Sequence, residues 1–146
     1  MSKLIPPAPI EGYTIYDPVD PFENEAGPFY WSLLDDGSHH FVLRTEDRHA
    51  NSHGVIHGGL MMTMADLTMA VTAKGEPDDA YVTVSFNSEF IAAGYAGDLV
   101  EARGELVKRT GSMAFIRGHI HVGETTLFIC SAVMKRVGKR GALKKA

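Results

Sequence analysis

One segment constrains this chain more than any other. From Leu60 to Lys74 the sequence runs without a proline and is rich in Leu, Met and Ala, which favour helix. The run is apolar nearly all round, so it belongs inside a fold rather than on a surface. It is too short to span a bilayer, and it carries Asp66 at its middle. Lys74 and Gly75 supply a cation and a glycine cap at its end. No second helix of comparable length is available to cover it, so something else in the chain must.

The flanking sequence supplies strands. Four strand-like runs follow, over 81–91, 98–109, 113–122 and 125–137. The last two breaks, Thr110-Gly111-Ser112 and Gly123-Glu124, are short enough for antiparallel hairpins. Ahead of the helix, Phe29–Leu34 and His39–Thr45 flank the turn signal Asp35-Asp36-Gly37-Ser38. Hairpin, one long buried helix and four further strands make an α+β chain. A single antiparallel sheet wrapped around one helix is the physical description of a hot-dog fold. Such a sheet leaves edges and faces uncovered, which predicts at least a dimer.

The 146 residues suit one domain. Six of the seven prolines fall in the first 28 residues, which reads as an extended arm with one helical turn at most, pinned by Phe22, Phe29, Tyr30 and Trp31. The expected division is an arm at 1–26, a domain at 27–137 and a basic tail at 138–146. Net charge is -4, so the chain has no overall electrostatic attraction to nucleic acid. The single cysteine, Cys130, excludes an intrachain disulfide and a cysteine-based zinc cage, and its apolar strand reads as core. The first residues have no apolar leader stretch, so the expected location is the cytoplasm, with no membrane partner.

The candidate chemistry centres on Asp66. No lysine or arginine lies within a helical turn of it, and burying a lone carboxylate costs several kcal/mol or raises its pKa. That cost is the mark of a working group; the alternative is a thin solvent-facing stripe shared with Thr63 and Ala70. Gly58 and Gly59 open the helix, where backbone N–H groups lack intrahelical partners and the dipole is positive. Donors of that kind can hold an oxyanion, or the glycines merely permit a sharp turn. Asn51 and His57 precede them and can hold a water or polarise a carbonyl. His49, His53 and His57 are spaced by four but are interrupted by Asn51, Ser52 and Gly54. His119 and His121 share a strand face without a carboxylate or cysteine to complete a ligand set, so no metal is expected.

Asn51-Ser52-His53-Gly54-Val55-Ile56-His57-Gly58-Gly59, followed by Asp66, resembles the signature of PaaI-type hot-dog thioesterases. The resemblance extends over about residues 27–135, through Gly27-Pro28-Phe29-Tyr30, Asn87, Gly97-Asp98-Leu99-Val100-Glu101 and the segment from Lys108 to Phe115. It implies acyl-CoA hydrolysis without a cofactor, in a homodimer or a homotetramer built as a dimer of dimers. The helix carboxylate of one subunit then faces the glycine and asparagine loop of the other. Carried over by position, Asp66 is nucleophile or general base, Gly58 the oxyanion donor, and Asn51 and His57 position water and thioester. Thr83 falls where similar enzymes place a water-holding hydroxyl. Gly59, Leu60 and Met61 would line the substrate site, with Met64 and Phe90 as further apolar candidates, and Lys108 and Arg109 can bind coenzyme A phosphates. Two other readings stay open: a non-catalytic acyl-CoA-binding module, and an enoyl-CoA hydratase or dehydratase using His57 with Asp66.

Overall fold

A computed structural model describes residues 5–140. Seven strands form one antiparallel sheet in the order β1-β2-β3-β5-β6-β7-β4. They are β1 (Thr14–Ile15), β2 (Tyr30–Leu33), β3 (His39–Arg44), β4 (Asp79–Phe90), β5 (Leu99–Arg109), β6 (Met113–Val122) and β7 (Thr125–Lys139). A short helix, α1 (Pro21–Ala26), precedes β2, and the long helix α2 (Gly58–Ala73) lies between β3 and β4. The sheet curls around α2. Phe41, Ala102, Ile116, Ile120, Phe128 and Met134 of the sheet pack with Met61, Met64, Ala65, Met69 and Val71 of the helix in one core. None of the helices described is long and apolar enough to cross a membrane.

The expected arm is more structured than its prolines imply. Thr14 and Ile15 add a short strand to the sheet by pairing with Trp31 and Tyr30. Pro21 opens α1 where its missing N–H costs nothing, and the Asp20 carboxylate caps the helix by accepting from the Glu23 N–H at 2.8 Å. At the other end, β7 continues through Lys139, so the basic tail expected from residue 138 begins as strand. Its residues 141–146, like arm residues 1–4, lie outside the described residues. Cys130 is buried against the Met69 sulfur at 3.6 Å, and burial pushes its thiol up to about 11, as an inert core residue requires.

Two expectations about α2 need correction. Gly75 does not cap it. The last carbonyls are instead satisfied from β5, where Arg109 donates to the oxygens of Ala73 at 2.9 Å and Lys74 at 2.7 Å. A guanidinium there also complements the negative end of the helix dipole. Nor is the helix buried all round in a single chain. Met62 is 41% exposed and Asp66 is exposed, while Met64, Ala65 and Met69 face the core. Among the anticipated pins of the arm, Phe29 and Tyr30 are buried, but Phe22 is 68% exposed.

Candidate active site

The loop ahead of α2 is held rigid by its own polar groups. The Asn51 side-chain oxygen accepts from the His53 N–H at 2.9 Å and the Val55 N–H at 3.4 Å, and Gly54 turns with φ +77°. Isolated bridges join Ala50 to Ile56 and Val55 to Tyr95. The oxygen of Asn51 is therefore spent on the turn, and its amide NH2 is the end left for a ligand. Beneath the loop sits buried His49. Its Nδ1 accepts from the Glu46 N–H at 2.8 Å, so its Nε2–H donates to the Ala26 oxygen at 2.9 Å. One imidazole thus ties the loop to the end of α1, and burial pushes its pKa below the usual histidine range. The sequence showed His49 only as part of a spaced histidine series.

His57 is the N-cap of α2. Its Nδ1 accepts the Gly59 N–H at 2.8 Å, and a Cβ at Gly59 would sit 2.9 Å from that nitrogen. Gly59 thus makes room for the cap, and its own N–H is engaged rather than offered to a substrate. The Gly58 N–H has no hydrogen-bond partner among the described residues. It stands at the positive end of the dipole, as an oxyanion donor should. The Phe90 ring covers Gly58 so closely that a Cβ there would come within 2.8 Å of it.

Asp66 lies two turns further along. Thr83 Oγ1 donates to Asp66 Oδ1 at 2.5 Å. A bulge makes that contact available: the β4–β7 register slips between Thr83 and Ser85. Residues three apart on a regular strand face opposite sides. The bulge lets both Thr83 and Phe86 face the helix. Asp66 was expected to be buried without a partner; it is exposed in the single chain and bonded to a strand hydroxyl. It opens onto a cleft of about 370 Å³, whose walls are Phe22 and Glu23 of α1, Met62 and Thr63 of α2, and Phe86.

Glu23 was not anticipated. Its carboxylate makes no hydrogen bond or ion pair with the described residues and is half-buried. Burial first, then the negative charges of Asp20, Asp17 and Asp66, push its pKa up to about 7 against the opposing pull of Lys74. Nothing in the sequence marked it, because its environment is built by α1 docking on α2.

The other anticipated residues divide. Met61 is 4% exposed and packs in the core rather than lining the cleft. Leu60 is half-buried, and Phe90 is 54% exposed beside Gly58. Arg109 is occupied with the carbonyls that end α2, while Lys108 beside it is exposed.

One group among the described residues has metal-ligand chemistry: His40, Glu101 and His121, whose ligand atoms lie within 4.8 Å of one another. Glu101 pairs with His40 Nε2 at 3.0 Å and His121 Nδ1 at 3.6 Å, and Tyr13 Oη bonds His40 Nδ1 at 2.7 Å. In the strand register these residues alternate with Phe41, Ala102 and Ile120 of the core. They therefore lie on the sheet face away from α2, where they fasten the arm and stand apart from Asp66.

Comparison with known proteins agrees with this fold. Residues 53–129 match the model of the thioesterase superfamily. A Pseudomonas aeruginosa protein assigned as an esterase is 31% identical over 127 residues, covering 84% of this chain and 93% of that protein. Among solved structures, the PaaI protein of the Escherichia coli phenylacetic acid degradation operon superposes with a TM-score of 0.75 at 20% identity. It covers 84% of this chain and 88% of its own. A Streptococcus mutans protein bound to acetyl-CoA superposes with a TM-score of 0.69 at 18% identity, covering 77% of this chain and 90% of its own. With the sheet wrapped around α2 and residues 53–129 running from the loop through the helix and β4, β5 and β6 into β7, this chain belongs to the thioesterase superfamily and has the hot-dog fold.

Proposed function

We propose that the protein hydrolyses acyl-CoA thioesters to free acid and coenzyme A, in a site shared by two copies of the chain. The observation that carries this reading is the pairing of a threonine-held carboxylate with an unpartnered N–H at a helix start. Thioester hydrolysis needs those two things, an activated oxygen and a stabilised oxyanion, and no redox or metal chemistry. The acetyl-CoA bound by the Streptococcus mutans relative supports coenzyme A as the carrier.

Distance supports a site shared by two copies. Gly58 and Asp66 are eight residues apart on one helix, roughly 12 Å of axial rise. A single carbonyl cannot touch both. The long edge strand β4 has a neighbour on one side only, β7, and an unpaired edge of that length invites a second copy. Antiparallel pairing of two β4 strands would bring Asp66 and Thr83 of one subunit toward the Asn51–Gly58 segment of the other. Phe115 and Ile129, exposed at 39% and 40% on the face away from α2, would let two such dimers stack.

In this site the thioester oxygen lies on the Gly58 N–H. Asn51, through its free NH2, and His57, through Nε2, orient thioester and water. Asp66 attacks the carbonyl carbon or takes a proton from the attacking water, and Thr83 holds its carboxylate in place. Lys108 is free to meet phosphates.

The test is thiol release from a panel of acyl-CoAs by wild type and by Asp66→Asn. Turnover by the wild type on at least one thioester, reduced by orders of magnitude in a folded mutant of unchanged assembly, is the expected result. Near-native turnover by the mutant would remove Asp66 from the mechanism.

A further inference from the structure

We propose that Glu23 is a second catalytic carboxyl, the acid that protonates the departing thiolate; this rests on the thioesterase reading of the Asp66 cleft.

The geometry is that of a placed group. Helix α1 is fastened at several points: Asp20 caps it, Asn24 Nδ2 donates to the Asp17 oxygen at 2.6 Å, and His49 Nε2 donates to the Ala26 oxygen. Arg48 also donates to the Glu25 oxygen at 2.8 Å and to the Gly27 oxygen. Gly27 is buried where a Cβ would collide with the Phe29 nitrogen and the Glu23 carbonyl oxygen, so the chain passes tightly there into β2. So many bonds on a six-residue helix hold Glu23 over the same cleft as Asp66. Its carboxyl is half-buried, with no direct ion pair or hydrogen-bond donor among the described residues and only the more distant charge of Lys74 to favour ionisation. Partial burial beside other carboxylates without a donor is unfavourable, as expected of a group kept for chemistry rather than for stability.

Two carboxyls in one cleft with different surroundings are the usual arrangement of an acid and a base. Asp66 accepts a hydrogen bond from the Thr83 hydroxyl. Glu23 has apolar cover and nearby negative charge, which keep its proton on near neutral pH.

The proton balance closes by either route. If Asp66 is the base, it takes a proton from water as the C–O bond forms. The C–S bond then breaks, the sulfur takes the Glu23 proton, and Asp66 passes its proton to Glu23. If Asp66 attacks directly, an acyl–Asp66 anhydride forms as the thiol leaves with the Glu23 proton. The Glu23 carboxylate then takes a proton from the water that opens the anhydride. Both routes return the starting protonation states.

A leaving-group comparison tests the assignment. Glu23→Gln keeps the shape of the side chain but cannot release a proton. On an alkyl thioester of coenzyme A, kcat/KM should fall about 10- to 100-fold, the low end for a placed acid because a thiolate is a fair leaving group. On the same acyl group carried by a thiophenol of low pKa, the deficit should shrink to within about threefold, since that thiolate needs no acid. The wild-type profile should lose activity above about pH 7, and the variant should lose that limb. An equal deficit on both leaving groups, or no deficit on either, overturns the proposal. Asp66→Asn is the control: it should fail with both leaving groups, and if it does not, the fault lies with the reading of Asp66 rather than with Glu23.

Discussion

The environment of Glu23 has a consequence for stability that needs no substrate. Its pKa rises from 4.5 to about 7 on folding, so between those values the folded chain holds a proton that the unfolded chain has lost. Stability then falls as pH climbs through that window, and the deficit is complete above about pH 7. Unscreened, the gap corresponds to roughly 3.4 kcal/mol, at about 1.36 kcal/mol for each pH unit. Glu23 is only half-buried, and solvent screening reduces the effect to about 1–2 kcal/mol. Glu23→Gln removes the ionisation and keeps the volume. Near pH 8 the variant should therefore be the more stable by about 1–2 kcal/mol, a few degrees in Tm. Below about pH 4.5, where both states are protonated, the two proteins should melt together. Denaturant or thermal unfolding across that range, at matched protein concentration so that assembly contributes equally, measures the difference. No advantage near pH 8, or an equal advantage at both ends, would refute the account of where Glu23 sits.

Two further outcomes follow from single contacts. Thr83→Val removes the 2.5 Å bond to Asp66 and should lower kcat/KM about tenfold or more, whereas Thr83→Ser, which keeps the hydroxyl, should stay within about threefold of wild type. Arg109→Ala uncaps α2 and should cost about 1–2 kcal/mol in thermal unfolding while leaving KM for acyl-CoA within about twofold. A large rise in KM with unchanged stability would return Arg109 to the phosphates.

Most of the architecture was legible because it rests on period and punctuation. The helical run, the strands and their glycine-containing hairpin breaks fall within a few residues of the observed elements, including Met113–Val122. The order of elements was enough for the fold, since one long apolar helix has only a sheet to cover it. Asp66 and Gly58 stood out by chemistry: a charge and a bare backbone donor in an otherwise apolar run. The arm was harder. Proline predicts poor strand, yet α1 starts at Pro21, where proline is favourable, and β1 occupies the sheet edge by β2.

What the sequence alone determined is what depends on neighbours in the chain: the helix, the strands and their hairpin breaks. What only the tertiary structure decided is every pairing between distant residues. The bulge after Thr83 turned a strand hydroxyl onto Asp66, and β5 delivered Arg109 to the end of α2. The same strand brought Glu101 between His40 and His121, completing a ligand set absent from any local motif. Docking of α1 on α2 set Glu23 in the cleft and raised its pKa. Local order is encoded by backbone propensity and spacing, which a linear reading samples directly. Desolvation and long-range contact depend on which surfaces meet, and they exist only once the chain has folded.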